Sequence, residues 1–555
     1  MASVKLVLRR FRLLHDVMHI IRLLRPSYRQ RHRILLNQLT QLNSQGCSGL
    51  ITPLGDGDRG TVVFLGWSSL EHVIAESVVR KSFELAGFRP HVLADPTPAI
   101  RSIYATVGVH FIESFARYCP LPDRRQAIEL LSTIKSFSEL IELVWDDVKV
   151  GKYVSSSLMR QKRKGSLDLN DSIVRKQIID GLANSISYAI GARRMISELS
   201  PTALVQVDRG YSPFGEIFDT CINNSVPVYT WNIAHRDNSL MLKKYHSGNR
   251  DAHPSSLSIE SWQHLCGTSW GDKQRNVLKS ELAGSYNSGE WYGEVGTQFG
   301  KKQFNGKEIS DRLGLDPSKK TAAIFAHIFW DATFFWGEDL FRDYEDWFVE
   351  TVRAACANDR LNWLVKIHPA NLVKDIRDGI SGEHSEISAL QKYIGELPEH
   401  VKVIPADTDI TTLSLLEVID YCLTVRGTVG MEAALLGKNV LTAGTGRYDR
   451  HGFTVDFDSR NDYLSQLEKL EDLQPPSVES IRLAERYSYG VFISRPVRLR
   501  SFDLRFSQDP GATLLATCKA SSTTELALAP ELVSIASWLH SGKEDFLADA
   551  TIALD

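Results

Sequence analysis

The sequence predicts an α/β protein with two Rossmann-like domains that face each other across a cleft, preceded by an amphipathic helix. Short apolar runs alternate with helical segments, which indicates βαβ units and parallel sheets. The alternation occurs twice, and a polar stretch at about 245–320 separates the two series. The 555 residues are too many for one core, so two domains plus extensions are expected.

The same pattern sets the expected domain boundaries. A basic amphipathic helix occupies residues 1–40, and a linker rich in Gly, Ser, Asn and Asp follows at about 41–60. We expect the first Rossmann-like domain at 55–305, the second at 306–505, and a C-terminal extension at 506–555.

The N-terminal segment is the one strongly charged part of the chain. Leucine, isoleucine and valine recur there at helical spacing, next to a basic face. This pattern favours an anchor on an anionic membrane surface; the alternative is a helix docked on its own domain with solvated arginines. Asp16 is the only acid in residues 1–33. The basic residues there are Lys5, Arg9, Arg10, Arg12, Arg22, Arg25, Arg29, Arg31 and Arg33.

Each series has its own set of predicted elements. The first contains strands at 61–66, 91–95, 108–113, 203–208 and 226–231, with helices at about 70–86 and through most of 120–200. The second contains strands at 321–328, 363–367, 401–404, 421–425 and 439–443, with helices at about 341–357, 384–396, 410–418 and 429–437.

Two strands of the second series end in polar tips. One precedes His368, and the other runs into a helix through Arg426, Gly427 and Thr428. A helix start offers free N–H groups and a positive dipole end, which suit a phosphate. His368 can donate to a phosphate of a leaving nucleotide; the alternative is a turn histidine bonded to a local carbonyl. Lys366, on the same strand face as His368, adds positive potential.

The residues after this helix start complete a predicted nucleotide site. Thr428 is a candidate N-cap, and Gly430 lets a phosphate approach the backbone. Glu432 can accept hydrogen bonds from two ribose hydroxyls; the alternative is an acid of the capping box. Three further residues are candidates for an acceptor site or a lid: Arg447, Tyr448 and His327.

The opposite wall of the cleft is expected to come from strand ends of the first series. Inversion at a sugar carbon needs a base that takes the proton of the acceptor hydroxyl. Asp208, His235 and Asp237 are the candidates, and the sequence does not choose among them. For each of them a structural role is the alternative.

Composition excludes several other functions. A net charge of −3 gives no reason to expect nucleic acid. The seven cysteines are scattered and form no Cys/His cluster, which argues against a zinc site or a disulfide framework. The acidic pair Asp407 and Asp409 is better placed to cap a helix than to bind a metal. We therefore expect no metal and no cofactor.

The motifs resemble those of the bacterial capsule polysaccharide biosynthesis proteins, which include Kdo transferases with the GT-B fold. The resemblance rests on KIHPAN (366–371), RGTVGMEAALLGKNVLTAG (426–444) and, more weakly, AERYSYGVFISRP (484–496). It implies that His368, Gly427 and Thr428 bind the nucleotide phosphate. Arg426–Gly427 stands where many relatives have serine or asparagine, so the donor remains open.

These observations predict a metal-independent glycosyltransferase of a cell-surface polysaccharide or its lipid-linked precursor. The second domain would hold a nucleotide-sugar, with CMP-linked sugars among the candidates, and the first would hold the acceptor. We expect it in the cytoplasm, peripheral on the inner face of the plasma membrane. The alternatives are a sugar-nucleotide epimerase, a CDP-polyol phosphotransferase on the same fold, and a non-catalytic scaffold of a polysaccharide assembly complex.

Overall fold

Two β-sheets flanked by helices form the body of the protein, which confirms the predicted α/β class. The computed structural model describes residues 12–44, 50–293, 296, 298, 300–331, 333–379, 382–507 and 514–548. Its strands are β1 (Thr61–Leu65), β2 (Arg89–Leu93), β3 (Ala203–Gln206), β4 (Val228–Ile233), β5 (Ser239–Tyr245), β6 (Thr321–Phe325), β7 (Asn362–Lys366), β8 (Val401–Ile404), β9 (Tyr421–Thr424), β10 (Asn439–Thr442), β11 (Val497–Arg498), β12 (Phe502–Phe506) and β13 (Leu514–Cys518).

The helices pack on both sheets. Before the second sheet they are α1 (Arg12–Leu23), α2 (Pro26–Ser44), α3 (Leu70–Leu85), α4 (Pro98–Thr106), α5 (Arg124–Ser132), α6 (Phe137–Ile141), α7 (Val150–Lys162), α8 (Ser172–Leu199), α9 (Phe214–Asn223), α10 (Ile259–Gly267), α11 (Asp272–Ser288) and α12 (Gly306–Leu313). The later ones are α13 (Tyr344–Ala357), α14 (Ala370–Asp378), α15 (Ser385–Tyr393), α16 (Thr412–Val418), α17 (Val429–Leu435), α18 (Arg460–Leu467), α19 (Val478–Tyr489), α20 (Thr523–Ala527) and α21 (Pro530–Ser541).

The second sheet has the order β10-β9-β6-β7-β8, and all its pairs are parallel. The chain runs outward from β6 through β7 to β8, then returns to place β9 on the other side of β6 and continues to β10. This reversal makes a switch point between β6 and β9. In open α/β sheets, ligands bind in the crevice outside the carboxyl ends of the strands at such a point.

The first sheet has the order β11-β5-β4-β3-β1-β2. Strands β1 to β4 are parallel, whereas β5 and β11 pair in antiparallel orientation. The segment at 108–113 forms no strand among the described residues and meets β2 in one bridge, Leu93 with Glu113. Gly108 has a φ of +79°, and a Cβ there would strike the carbonyls of Leu50 and Ile51. The backbone turns there, so the strand predicted at 108–113 is wrong.

The chain returns to the first domain after the second is complete. Strand β11 joins the edge of the first sheet beside β5, and α21 packs on α3. Leu532 and Ile535 of α21 lie in the same core as Val62 and Phe64 of β1. Buried Asp545 pairs with buried Lys243 of β5, at 2.7 Å. The predicted C-terminal extension therefore supplies part of the first domain's core.

The N-terminal segment is a pair of helices. Helix α1 ends at Leu23, and α2 begins at Pro26. Leu39 of α2 is buried in the core of the first domain. Within the part of the chain that the structure describes, no helix is long and apolar enough to cross a membrane. Residues 1–11, with Lys5, Arg9 and Arg10, lie outside the described residues.

Candidate active site

A cavity of about 410 Å³ opens at the switch point of the second sheet, facing the first domain. Its wall includes residues that directly follow β6, β7 and β9, because the carboxyl ends of parallel strands meet at one edge of a sheet. Eight residues predicted from sequence line it: Lys366, His368, Arg426, Gly427, Thr428, Glu432, His327 and Arg447.

His368 lies in the wall of the cavity as a neutral hydrogen-bond donor. Its Nδ1 accepts from the backbone N–H of Ala370 at 3.2 Å, so the ring proton is on Nε2. Burial, followed by the ammonium groups of Lys374 and Lys366, lowers the pKa of His368 to about 3. The ring is therefore uncharged at neutral pH, with an N–H group available to an anion.

The turn after β9 supplies a second group of donors. Arg426 is buried, and its Nη2 contacts Asp339 and the carbonyl of Glu338. Its Nε and Nη1 have no hydrogen-bond partner among the described residues. The N–H of Gly427 donates to Thr424 Oγ1 at 3.0 Å, which fixes the turn. Tyr344 also interacts with the guanidinium, so Arg426 adds a buried positive charge to the cavity wall.

Thr428 stands at the N-cap position, but its hydroxyl does not cap the helix. The hydroxyl instead accepts a hydrogen bond from Arg447 Nη2 at 2.9 Å. Arg447 Nη1 also donates to the carbonyl of Arg426, and its Nε donates to Ser255 Oγ, at 3.0 and 3.1 Å. Arg447 thus ties the turn to the segment before α10, and the predicted capping role of the Thr428 side chain is wrong.

Gly430 and Tyr448 lie beneath the turn and do not line the cavity. Tyr448 is 1% exposed and donates to the carbonyl of Gly427 at 2.7 Å. A Cβ at Gly430 would overlap Tyr448 Oη, so glycine is needed there for close packing. Both residues support the turn from below, where neither can reach a substrate in the cavity.

Glu432 faces the cavity from the first turn of α17 and is held by two aromatic side chains. Tyr286 Oη donates to Oε2, and Trp291 Nε1 donates to Oε1 at 3.2 Å. Burial raises the pKa of Glu432 to about 7 despite these two hydrogen bonds. Each carboxylate oxygen can accept more than one bond, so both retain capacity for a ligand hydroxyl.

Two further predicted residues are engaged with the protein itself. Lys366 is buried and donates to the carbonyls of Ile367 and Pro405, at 2.8 and 3.0 Å. Burial lowers the pKa of Lys366 to about 7. His327 Nε2 accepts from the N–H of Val425 at 3.3 Å, and its ring stacks on Tyr344. His327 therefore braces β6 against β9 at the floor of the cavity.

An ionic cluster joins the two domains at the cavity wall. Asp331 accepts from Tyr211 Oη at 2.8 Å and pairs with Lys374 and, at 3.7 Å, with Arg160. Burial alone would raise the pKa of Asp331, but Lys374, Arg160 and Tyr211 lower it to about 2. Asp208 interacts with the charges of Arg160 and Asp331, and burial raises its pKa above the ordinary value.

None of the three candidate bases is among the residues that line the cavity. His235 is 1% exposed, its Nε2 is 2.8 Å from Glu281 Oε1, and burial lowers its pKa. Asp237 accepts from the N–H of Phe506 at 2.9 Å, and burial raises its pKa to about 6. The structure thus brings Asp208 close to the cavity and engages His235 and Asp237 in the packing of the first domain.

Several cavity residues were not assigned to the site from sequence. Tyr286 and Trp291 come from the polar stretch at 245–320, whose weak periodicity gave no signal. Lys374 lies one turn into α14, and its place in the helix that directly follows the KIHPAN motif could have suggested it. Of the aromatic run at 329–336, Phe334 and Phe335 pack in a core shared with the first domain, while Trp336 lines the cavity.

The segment that carries these motifs matches a protein-family model. Residues 341–472 match the family described as capsule polysaccharide biosynthesis protein. The match contains His368, the 426–432 turn and Arg447, and it confirms the resemblance drawn from the sequence motifs. No curated protein sequence is similar enough to count as a match.

Solved structures similar to this chain include transferases and an epimerase. KpsC of Thermosulfurimonas dismutans, a beta Kdo 2,4 transferase, is 16% identical, with a TM-score of 0.34, over 54% of this chain and 82% of its own. UDP-GlcNAc 2-epimerase of Neisseria meningitidis is 12% identical, with a TM-score of 0.26, over 78% and 95%. The spinosyn rhamnosyltransferase SpnG is 11% identical, with a TM-score of 0.25, over 78% and 95%.

The structure contains the two Rossmann-like domains and the cleft between them that the sequence predicts. Among the described residues, no group of three or more His, Cys, Asp or Glu side chains could hold a metal ion. Metal independence of a reaction in this cleft stays a prediction.

Proposed function

We propose that this protein is a glycosyltransferase that takes a sugar from a nucleotide donor in the cavity and passes it to a polysaccharide or lipid-linked acceptor held by the first domain. The observation that carries the proposal is the convergence of His368 Nε2–H and the Arg426 guanidinium on one cavity at the switch point. A nucleotide phosphate fits this set of donors.

In this proposal the donor lies along the carboxyl edge of the second sheet. His368 and Arg426 bind the phosphate next to the sugar, and Glu432 accepts hydroxyls of the ribose. Neutral His368 donates without the repulsion that a second cation beside Lys374 would bring. Donors fixed before the reaction stabilise the charge that develops on the departing phosphate.

The reaction breaks the bond between the anomeric carbon and the phosphate oxygen and forms a bond to the acceptor oxygen. The nucleotide leaves with the electron pair, and a base takes the proton of the acceptor hydroxyl. We assign that base to Asp208, because it lies beside the interdomain cluster and its raised pKa suits proton uptake. Asp331 stays ionised because Lys374 and Arg160 stabilise its negative charge.

A nucleotide screen tests the donor site first. CMP, CDP, UDP, GDP and TDP are added to the full-length protein and thermal unfolding is followed. A nucleotide present at 100 times its Kd stabilises a protein by about 2.7 kcal/mol. His368→Ala should weaken the preferred nucleotide by about 1.5–3 kcal/mol, whereas His246→Ala, at a half-exposed histidine of the first domain, should not. Equal affinity in folded His368→Ala would remove this residue from the site.

The products then separate the proposed reaction from its alternatives. A glycosyltransferase releases free nucleotide only as the sugar moves to an acceptor or to water. An epimerase leaves the sugar on the nucleotide and changes its stereochemistry, and a polyol phosphotransferase moves phosphate together with the polyol. A scaffold binds without turnover, so tight nucleotide binding with no product from any donor would refute the enzymatic proposal.

A further inference from the structure

The N-terminal helix α1 turns its apolar side away from the protein. Leu13, Val17, Ile20, Ile21 and Leu24 are 74%, 45%, 64%, 51% and 74% exposed. Their spacing of four, three, one and three residues places them on one face of the helix. A helix that packs on its own domain normally buries its apolar face. Because these five side chains are exposed, the apolar stripe packs against none of the described residues.

The polar side of α1 faces the protein instead. Asp16 forms an ion pair with Arg101 of α4 at 2.5 Å. His19 Nδ1 lies 2.9 Å from Tyr28 Oη of α2, and its ring contacts the ring of His32. The orientation of the helix is therefore set by polar contacts, and these contacts direct the apolar stripe outward. Helix α1 is therefore held to its own domain by polar contacts, while its apolar side stays exposed.

The helical pair is attached to the first domain. Leu39 of α2 is 6% exposed within the first domain's core, and Leu35 packs against that core. The packing of α2 on the first domain therefore fixes the position of the exposed apolar stripe on α1.

Exposed arginines cluster where the two N-terminal helices meet. Residues 12–44 contain six arginines and one acid, Asp16, which already pairs with Arg101. Arg22, Arg25, Arg29 and Arg33 are exposed where α1 ends and α2 begins. A second copy of the chain would bring the same arginines against each other, so self-association through this face is opposed by charge. An anionic surface with an apolar interior complements both features.

We propose that α1 and the start of α2 dock on the surface of an anionic lipid bilayer. The apolar stripe enters the boundary between headgroups and acyl chains, and the arginines contact the lipid phosphates. Arg101 lies in the first turn of α4, which follows the carboxyl end of β2, so the Asp16 pair keeps α1 near the cleft-facing edge of the first sheet. The bilayer then lies beside the first domain.

Sedimentation with vesicles tests the proposal on the full-length protein. Vesicles of phosphatidylcholine with phosphatidylglycerol are compared with vesicles of phosphatidylcholine alone, without nucleotide. The protein should sediment with the anionic vesicles alone and be released by high salt, since charge attraction is screened over about 10 Å at 0.1 M. Equal binding to both compositions, or to neither, would overturn the proposal.

Two variants address the two parts of the surface. Ile20→Ser with Leu24→Ser removes apolar side chains and should lower the vesicle partition coefficient at least about tenfold. Arg25→Gln with Arg33→Gln should lower it about fivefold per arginine. Because these four side chains are exposed, thermal unfolding should be unchanged.

Matched controls use exposed side chains elsewhere on the protein. Ile259→Ser changes an apolar side chain that is 78% exposed, and Arg482→Gln changes an exposed arginine of α19. Both should bind vesicles as the parent does. Loss of binding in the controls would show a non-specific effect. If the parent protein dimerises in analytical ultracentrifugation and Ile20→Ser with Leu24→Ser abolishes the dimer, a second copy of the chain occupies this face. Loss of vesicle binding in the controls, or such a dimer, would overturn the proposal.

Discussion

Replacing Glu432 by glutamine should stabilise the ligand-free protein at alkaline pH while weakening its binding of ribose. Glu432 is 5% exposed and carries a pKa of about 7 because it is buried. Glutamine keeps the shape and can satisfy both aromatic partners, since its oxygen accepts from Trp291 and its amide donates to Tyr286. The substitution therefore removes the negative charge that Glu432 would carry, buried, above pH 7.

The magnitude follows from the difference between the folded and unfolded pKa. Below pH 4.5 the carboxyl is protonated in both the folded and the unfolded chain, so its burial as a neutral group contributes fully to the stability of the fold there. As pH rises, the unfolded chain loses the proton first, and the contribution is lost through the window from 4.5 to about 7. The free-energy cost of keeping this carboxyl buried reaches about 0.9 kcal/mol at pH 5 and about 3.4 kcal/mol at pH 8.

Urea unfolding of parent and variant at pH 5 and pH 8 measures this change. The gain in unfolding free energy from Glu432→Gln should increase by about 2.5 kcal/mol between the two pH values. Glu386→Gln is the matched control: Glu386 is fully buried away from the cavity and accepts from Asn371 Nδ2 at 2.7 Å. Burial also raises its pKa, so its stability gain should depend on pH while nucleotide affinity stays unchanged.

Two results would refute the reasoning about Glu432. If the stability difference is the same at pH 5 and pH 8, the carboxyl is not held near neutrality by burial. If the variant still discriminates ribose from deoxyribose nucleotides as the parent does, Glu432 does not contact the ribose.

Three further predictions follow. Asp208→Asn should lower transfer at least about a hundredfold while nucleotide affinity is retained, and near-normal turnover in a coupled nucleotide-release assay would exclude this base. EDTA should leave transfer nearly intact; full loss with rescue by Mg²⁺ or Mn²⁺ would contradict the predicted metal independence. Gly430→Ala should destabilise the protein by about 1–3 kcal/mol through overlap with Tyr448 Oη. Tyr448→Phe should partly relieve that overlap, and additive losses in the double variant would argue against it.

The second domain was predicted well because its information is local. Four of its five strands, β6, β7, β9 and β10, are short runs buried on both faces, and the polar residues that follow them fall at the same edge of the sheet. His368 and the 426–428 turn could therefore be placed together from sequence alone. The neutral state of His368 could not be predicted, because its pKa is lowered first by burial and then by the charge of Lys374, which only the folded structure brings about.

The parts that escaped prediction depend on distant partners. Strand β5 contains Lys243, and a lysine in a sequence predicts an exposed position. In the structure Lys243 is buried, because Asp545, 302 positions away, pairs with its charge. Tyr286 and Trp291 reach Glu432 across more than 140 positions. The sequence pattern of each segment alone carries no sign of these pairings.

The return of the chain to the first domain bears on how the protein is made. A ribosome delivers β1 to β5 early, but Leu532 and Ile535, which close the same core, emerge only after the whole second domain. The second domain has all its strands by Thr442 and can finish first, while the earlier half waits with an apolar face uncovered. The order of completion is therefore the reverse of the order of synthesis, and the first half must avoid aggregation until the last turns of chain arrive.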